Sequence, residues 1–280
     1  LGALSLIPLL VFLRMRKGKD GEGNGEGNQA VPPTVTMGNG REVTLPAWAG
    51  NQIVVGIICG LVLFTASTTQ QYGVLYSRSA GRSGFITALY IVMVPLLAFA
   101  VLRRRIHLNV ILSVALAVLG FYLLCITGGF GSITLADLVL LASAVLFAVH
   151  ILVIDTLGRG LDALVISFFQ IATTALLSWI GALAEGSVDW AGAGQGWFAI
   201  VYAGIGPVGV AYPLQVVGQQ CVPPTRGAML MSLESFFSAL GGAIILVELL
   251  TPRGYLGCAL HFAGTHHAQL PRARPHRRLH

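Results

Sequence analysis

Apolar residues in this chain come in long runs, with little of the polar interruption expected of a helix lying on a soluble core. Such windows recur at roughly 53–76, 84–102, 108–126, 133–154, 163–183, 197–220, 226–249 and 254–270. A helix needs about 20 such residues to cross the hydrocarbon of a bilayer. Residues 1–13, LGALSLIPLLVFL, read as one more span, cut short. Lipid offers no partner to an unpaired peptide group, so every window is expected to be helical. The pattern predicts an all-α polytopic membrane protein with about eight to nine helices.

Composition agrees with the pattern. Of 280 residues, 55% are hydrophobic and only 10% charged, and the mean hydropathy is +0.78. Soluble domains carry about 25% charged residues. The first residue is Leu, and the basic run RMRKGK follows the opening apolar stretch instead of preceding it. A signal peptide has the reverse order, so the chain reads as N-terminally truncated, without a first helix and part of a second. Cytoplasmic loops collect Lys and Arg. With residues 14–50 inside, 14 of the 17 basic residues fall on the cytoplasmic side, and only Arg78, Arg82 and Arg253 fall outside. This places the C-terminus, with the basic tail 271–280, in the cytoplasm of a plasma-membrane protein. It also accounts for the +6 net charge through topology and anionic lipid, with no nucleic acid as partner.

Residues 14–50 are rich in Gly, Asn, Glu and Pro and read as a flexible cytoplasmic linker. Their glycines lack the Gly-Lys-Ser/Thr ending of a phosphate loop. The four cysteines, Cys59, Cys125, Cys221 and Cys258, lie in or at the ends of spans, which argues against a disulfide framework. No metal-ligand spacing, Ser/His/Asp set or dinucleotide fingerprint converges on one membrane face. An enzyme is therefore not expected, nor a metal or other cofactor.

A gapless shift of 144 residues aligns the chain with itself. It matches Gly60 to Gly204, Gln71 to Gln215, Arg82 to Arg226, Leu89 to Leu233 and Gly120 to Gly264. The two halves start on opposite sides of the membrane in the topology above. That is an inverted repeat, an architecture of secondary transporters whose substrate site lies at midplane where the repeats meet. The expected repeat segments are 51–127 and 133–270.

Glu234, in MLMSLESFFSALGG, is the residue that stands out. At about 1.5 Å per residue it lies roughly 12 Å inside the span that begins at Arg226. Met231, Ser238 and Gly241 share its face, and its repeat equivalent is Tyr90, flanked by Ser83 and Thr87. An ionised carboxylate there costs at least ~2.5 kcal/mol, so it faces a cavity or a partner, or is protonated. A protonated glutamate binding a neighbouring helix is the structural alternative. Glu248 is a weaker candidate near the outer interface.

Pro207 and Pro213 interrupt YAGIGPVGVAYPLQVVGQQ, and broken helices point to transporter sites. Tyr212, Gln215 and Gln219 surround the break. Ser67 and Gln71 share one face in the other half, and Gln170 adds a third buried amide. Each alone reads as helix–helix hydrogen bonding; as a converging set they read as a substrate lining. His150 is a candidate proton relay or a packing residue one turn from Asp155. Gly56 and Gly60 form a G-x-x-x-G suited to close packing inside the chain more than to a homodimer. His261, His266 and His267 interrupt the last span, and they suggest an imperfect final helix.

The stretch VAYPLQVVGQQCVPPTRGAMLMSLESFFSALGGAIILVELLTPRGYLGCAL resembles the second repeat of EamA-type transporters in the drug/metabolite transporter superfamily. QQYGVLYSRSAGRSGFITALYIVMVPLLAFAVLRRR is similar to the first repeat. The resemblance implies two inverted five-helix repeats, a ten-helix family fold, around a central cavity that moves small metabolites by alternating access. It places Tyr90, Gln215 and Glu234 at the cavity as lining or gate. No Lys or Arg lies mid-span, which disfavours phosphorylated substrates. The expected cargo is a small neutral, zwitterionic or cationic metabolite, with Glu234 and His150 as groups for proton coupling. The alternative is a membrane protein that transports nothing, either a truncated relic or an interaction scaffold.

Overall fold

The computed structural model describes residue 6 and residues 34–77, 80–126, 133–186, 188, 190–234, 237 and 251–269. Helices make up most of it: α1 (Gln52–Tyr76), α2 (Ala80–Ala88), α3 (Tyr90–Leu102), α4 (Leu108–Cys125), α5 (Leu135–Leu157) and α6 (Ala163–Glu185). There follow α7 (Trp190–Gln195), α8 (Trp197–Ala203), a π-helical segment (Gly204–Ala211), α9 (Tyr212–Cys221), α10 (Pro224–Met231) and α11 (Pro252–Gln269). Leu233 and Glu234 are helical beyond a turn at Ser232. Among the described residues, five stretches are long and apolar enough to cross a membrane: 52–76, 83–102, 135–157, 163–185 and 197–221. The chain is an all-α multi-pass membrane protein.

The helix starts follow from local chemistry. Asn51 caps α1 by accepting from the Ile53 amide at 2.9 Å. Thr134 and Asp137 form a reciprocal capping box at the start of α5, and the Asp162 carboxylate accepts from the Leu164 and Val165 amides at the start of α6. Each satisfies amide donors that the first helical turn leaves unpaired. Gly186 ends α6 at φ 64°, a left-handed conformation that glycine adopts without the penalty of a Cβ.

Small residues let the helices approach. A Cβ on Gly56 would lie 2.7 Å from Phe169 Cβ, and one on Gly60 would lie 2.7 Å from the Gln170 carbonyl and from Thr173 Cβ. The G-x-x-x-G thus presses α1 onto α6 within the chain. The contact between α4 and α11 shows the repeat most directly. A Cβ on Gly120 would meet Gly257 O and His261 N, while one on Gly264 would meet Ser113 O and Ala117 N. Adding 144 to 113, 117 and 120 gives 257, 261 and 264. A reciprocal contact of this kind is what a twofold axis imposes. The limits of α4, 108 and 125, also map onto those of α11, 252 and 269. Five spans separate the start of α1 from the start of its equivalent, α8. An odd number inverts the direction.

Two expectations are corrected. Residues 34–50, read as part of a flexible linker, contain an antiparallel hairpin of β1 (Thr34–Thr36) and β2 (Glu42–Thr44), then a 3-10 turn at Ala47–Gly50. The Gly38 amide donates to the Leu102 carbonyl at 2.9 Å, and Val35 and Met37 pack on the apolar cluster around Val94, Ala98 and Leu102. The hairpin therefore covers the end of α3, where helical carbonyls lack intrahelical donors. The second correction concerns the last helix. α11 is continuous, and its histidines hold it in place. One His261 nitrogen donates to the Ala117 carbonyl at 3.0 Å, and the other lies 3.0 Å from Ser232 O. His267 Nδ1 is 2.8 Å from Ser113 Oγ. Residues 1–5, 7–33 and 270–280, and with them most of the short first span and the basic tail, lie outside the described residues, as does Glu248.

Candidate functional site

A cavity of about 820 Å³ lies between α1, α2–α3, α5, the α8–π–α9 span and the segment after α10. Both halves of the repeat line it. Leu63 faces it with Pro207, Thr87 with Met231, and Tyr90 with Glu234, and each pair differs by 144. The cavity thus straddles the axis that relates the halves. Gly84 and Tyr202 lie within about 8 Å of the starts of α2 and α8, and His150 lies about 10 Å from the end of α5, at 1.5 Å per residue. Beyond His150 the bundle is closed by charge. Asp155 is 1% exposed and holds Arg104 at 2.7 Å and Arg159 at 2.5 Å. The Gln220 amide adds bonds to the Gly158 and Leu161 carbonyls at 2.7 and 3.1 Å.

Among the described residues, Glu234 is the one carboxylate in this lining, and no Lys or Arg joins it. Its side chain is exposed, and it shares the lining with the phenols of Tyr90 and Tyr212. Gln70, Gln215 and Thr87 supply hydrogen-bonding groups, and Phe147, Tyr90, Tyr202 and Tyr212 supply aromatic surface. Thr87 Oγ1 is buried without a protein partner among the described residues. Such a lining accepts donors and favours positive charge.

The sequence candidates divide on inspection. Glu234, Tyr90, Tyr212, Gln215 and His150 come together around the cavity. Gln71 does not: it lines a separate recess against α6, and Gln70 takes the cavity position. The physical reason is the π segment. A π turn takes in one residue more than an α turn, so side chains beyond it are rotated by about 100° relative to a regular helix. After residues 204–211 the equivalence moves on by one, and Gln215 answers to Gln70. The connection to the next helix is one residue shorter in compensation, 222–223 against 77–79.

Gln170 is also corrected. It is fully buried behind the wall, where His150 Nε2 donates to its Oε1 at 3.0 Å. It orients His150 and stays out of the lining. Gln219 is buried with its amide 3.4 Å from Met231 Sδ. Ser238 lies outside the described residues. Sequence reasoning missed Gln70, Phe147 and Tyr202; the last two are aromatic residues in apolar spans, a pattern that reads as packing.

Apolar helices of two inverted halves thus enclose a polar cavity. Residues 134–266, a little under half of the chain, match the EamA-like transporter family. A relative from Archaeoglobus fulgidus, named an uncharacterized transporter, is 27% identical over 216 residues, 77% of this chain and 68% of its own. A solved crystal structure of a protein superposes with a TM-score of 0.68, covering 96% of this chain and 85% of that one. At 21% identity that likeness shows the fold alone. Family and relative point to a transporter rather than an enzyme.

Proposed function

We propose that this chain is a secondary carrier of a small neutral, zwitterionic or cationic metabolite, moved across the plasma membrane by alternating access. The observation that supports it is the cavity on the repeat axis, with Glu234 as the one carboxylate and no Lys or Arg among its described lining residues. A phosphate would meet a carboxylate there and find no cationic partner. An amine, an amide or a hydroxyl would find acceptors, and an organic cation would also find four aromatic rings. Glu234 carries the coupling proton in this reading, and His150, oriented by Gln170, is the relay beside it. Arg103, Arg104, Arg105, Arg159 and Arg226 gather at one end of the bundle, and we assign that end, with the C-terminus, to the cytoplasm.

The test is flux in proteoliposomes. Amino acids, polyamines, nucleosides and sugars are offered in turn, first without and then with an imposed pH gradient. Flux of a substrate that rises with the gradient supports proton coupling; flux indifferent to it rules coupling out. A folded protein that moves none of these solutes would favour the scaffold.

A further inference from the structure

The recess that receives Gln71 is separate from the cavity. It occupies about 450 Å³ between the C-terminal halves of α1 and α6. Its polar lining is Ser67, Thr68, Gln71 and Tyr72 from α1 with Ser178 and Glu185 from α6. The Tyr72 hydroxyl donates to Glu185 Oε1. A carboxylate has about four acceptor positions, so this bond leaves most of them free. Asp155 takes Arg104 and Arg159 as its ion-pair partners, and among the described residues no Lys or Arg lines the recess. Glu185 therefore presents a carboxylate to a mixed polar and apolar pocket with no basic side chain among its described lining residues.

The pocket chemistry selects among cations. Protein metal sites commonly gather several His, Cys, Asp or Glu side chains, and no group of three or more of these occurs among the described residues. An ammonium group carries three N–H donors, which match the carboxylate of Glu185, the amide oxygen of Gln71 and the hydroxyls of Ser67 and Ser178. The setting supplies the source. Glu185 is the last residue of α6, and beside it Trp179 and Trp190 stack with centroids 6.1 Å apart. Leu75 and Leu183 stand exposed at the rim. Tryptophans gather at the level of lipid headgroups, where an amine-bearing headgroup and a soluble amine can both reach the pocket.

We infer that the α1–α6 recess is a binding site for a primary ammonium group, distinct from the Glu234 cavity. The full chain is placed in phosphatidylglycerol nanodiscs, which bring no amine, and its melting is followed in two arms. One adds ethanolamine to the buffer; the other includes phosphatidylethanolamine in the bilayer. A ligand that binds the folded state raises the melting temperature. Stabilisation that Ser178→Leu abolishes places the amine in the recess and supports the site, as a soluble amine in the first arm and a lipid headgroup in the second. The response should weaken about tenfold in apparent affinity in Glu185→Gln, which loses one charge-assisted contact. It should disappear in Ser178→Leu, which fills the recess and leaves every charge in place, and should persist in Glu234→Gln. No stabilisation in either arm would overturn the inference. So would a wild-type response in Glu185→Gln or Ser178→Leu, or a response that vanishes in Glu234→Gln.

Discussion

The spans 52–76 and 197–221 are equal in length and equivalent in the repeat, yet they are built differently. The first is one regular helix, seated on α6 through Gly56 and Gly60 and on Leu140 of α5 through Gly73. The second changes from α to π and back across GIGPVGVA, and Gly209 is the one buried residue of the π segment. Pro207 removes a backbone donor and the glycines lower the cost of unusual turns. The difference matters for the cavity. By taking in one extra residue, the second span turns Tyr212 and Gln215 toward Glu234, and the regular helix presents Gln70 there.

The comparison extends to the ends of the bundle, and the largest expected effect lies where charge closes one of them. Replacing both Arg104 and Arg159 with Gln leaves the Asp155 carboxylate buried and uncompensated. A loss of about 3–5 kcal/mol of stability is expected, measured by denaturant or thermal unfolding in detergent. Gly120→Leu and Gly264→Leu test the axis itself. Each forces a side chain into the backbone of the partner helix, at a cost of about 3 kcal/mol. The two losses should be similar, because the contacts are reciprocal; a large effect at one glycine and none at the other would break the twofold reading. The smallest effect separates neighbouring amides. Gln70→Leu and Gln215→Leu should each weaken the affinity for a transported solute about tenfold, the worth of one buried hydrogen bond. Gln71→Leu should leave it unchanged.

Much of the fold was legible because lipid imposes a simple rule. Spans had to be long, apolar and helical, and where the residues are described the helix limits follow the hydropathy windows to within a few residues. The repeat was legible from a fixed spacing of Gly, Gln and Arg. The site was legible where a polar residue had no other excuse, as with Glu234. What escaped notice depended on geometry that residue types do not carry. A π turn inside GIGPVGVA shifts the register by one, so Gln71 was chosen over Gln70. Gln170 looks like any buried amide until its contact with His150 shows that it stands behind the wall. The three histidines of α11 appeared misplaced because the partners of His261 and His267 lie more than 140 residues away for Ala117 and Ser113, or on a separate helix for Ser232. The hairpin at 34–44 did leave a signal: Val and Thr alternate on either side of Gly-Asn-Gly, and Gly40 adopts φ 79°. An Asn-Gly between β-branched runs is a turn signature, obscured here by the glycine-rich composition before it.

The central claim is that Glu234 belongs to a solute site on the repeat axis and is more than glue between helices. It is tested most directly by thermal melting of the wild type and of Glu234→Gln against a panel of amino acids, polyamines, nucleosides and sugars. The account predicts equal melting temperatures without ligand, and a solute that stabilises the wild type and leaves the variant unmoved. A variant that melts lower without ligand, yet responds to the same solute as strongly as the wild type, would contradict it and return Glu234 to a structural role.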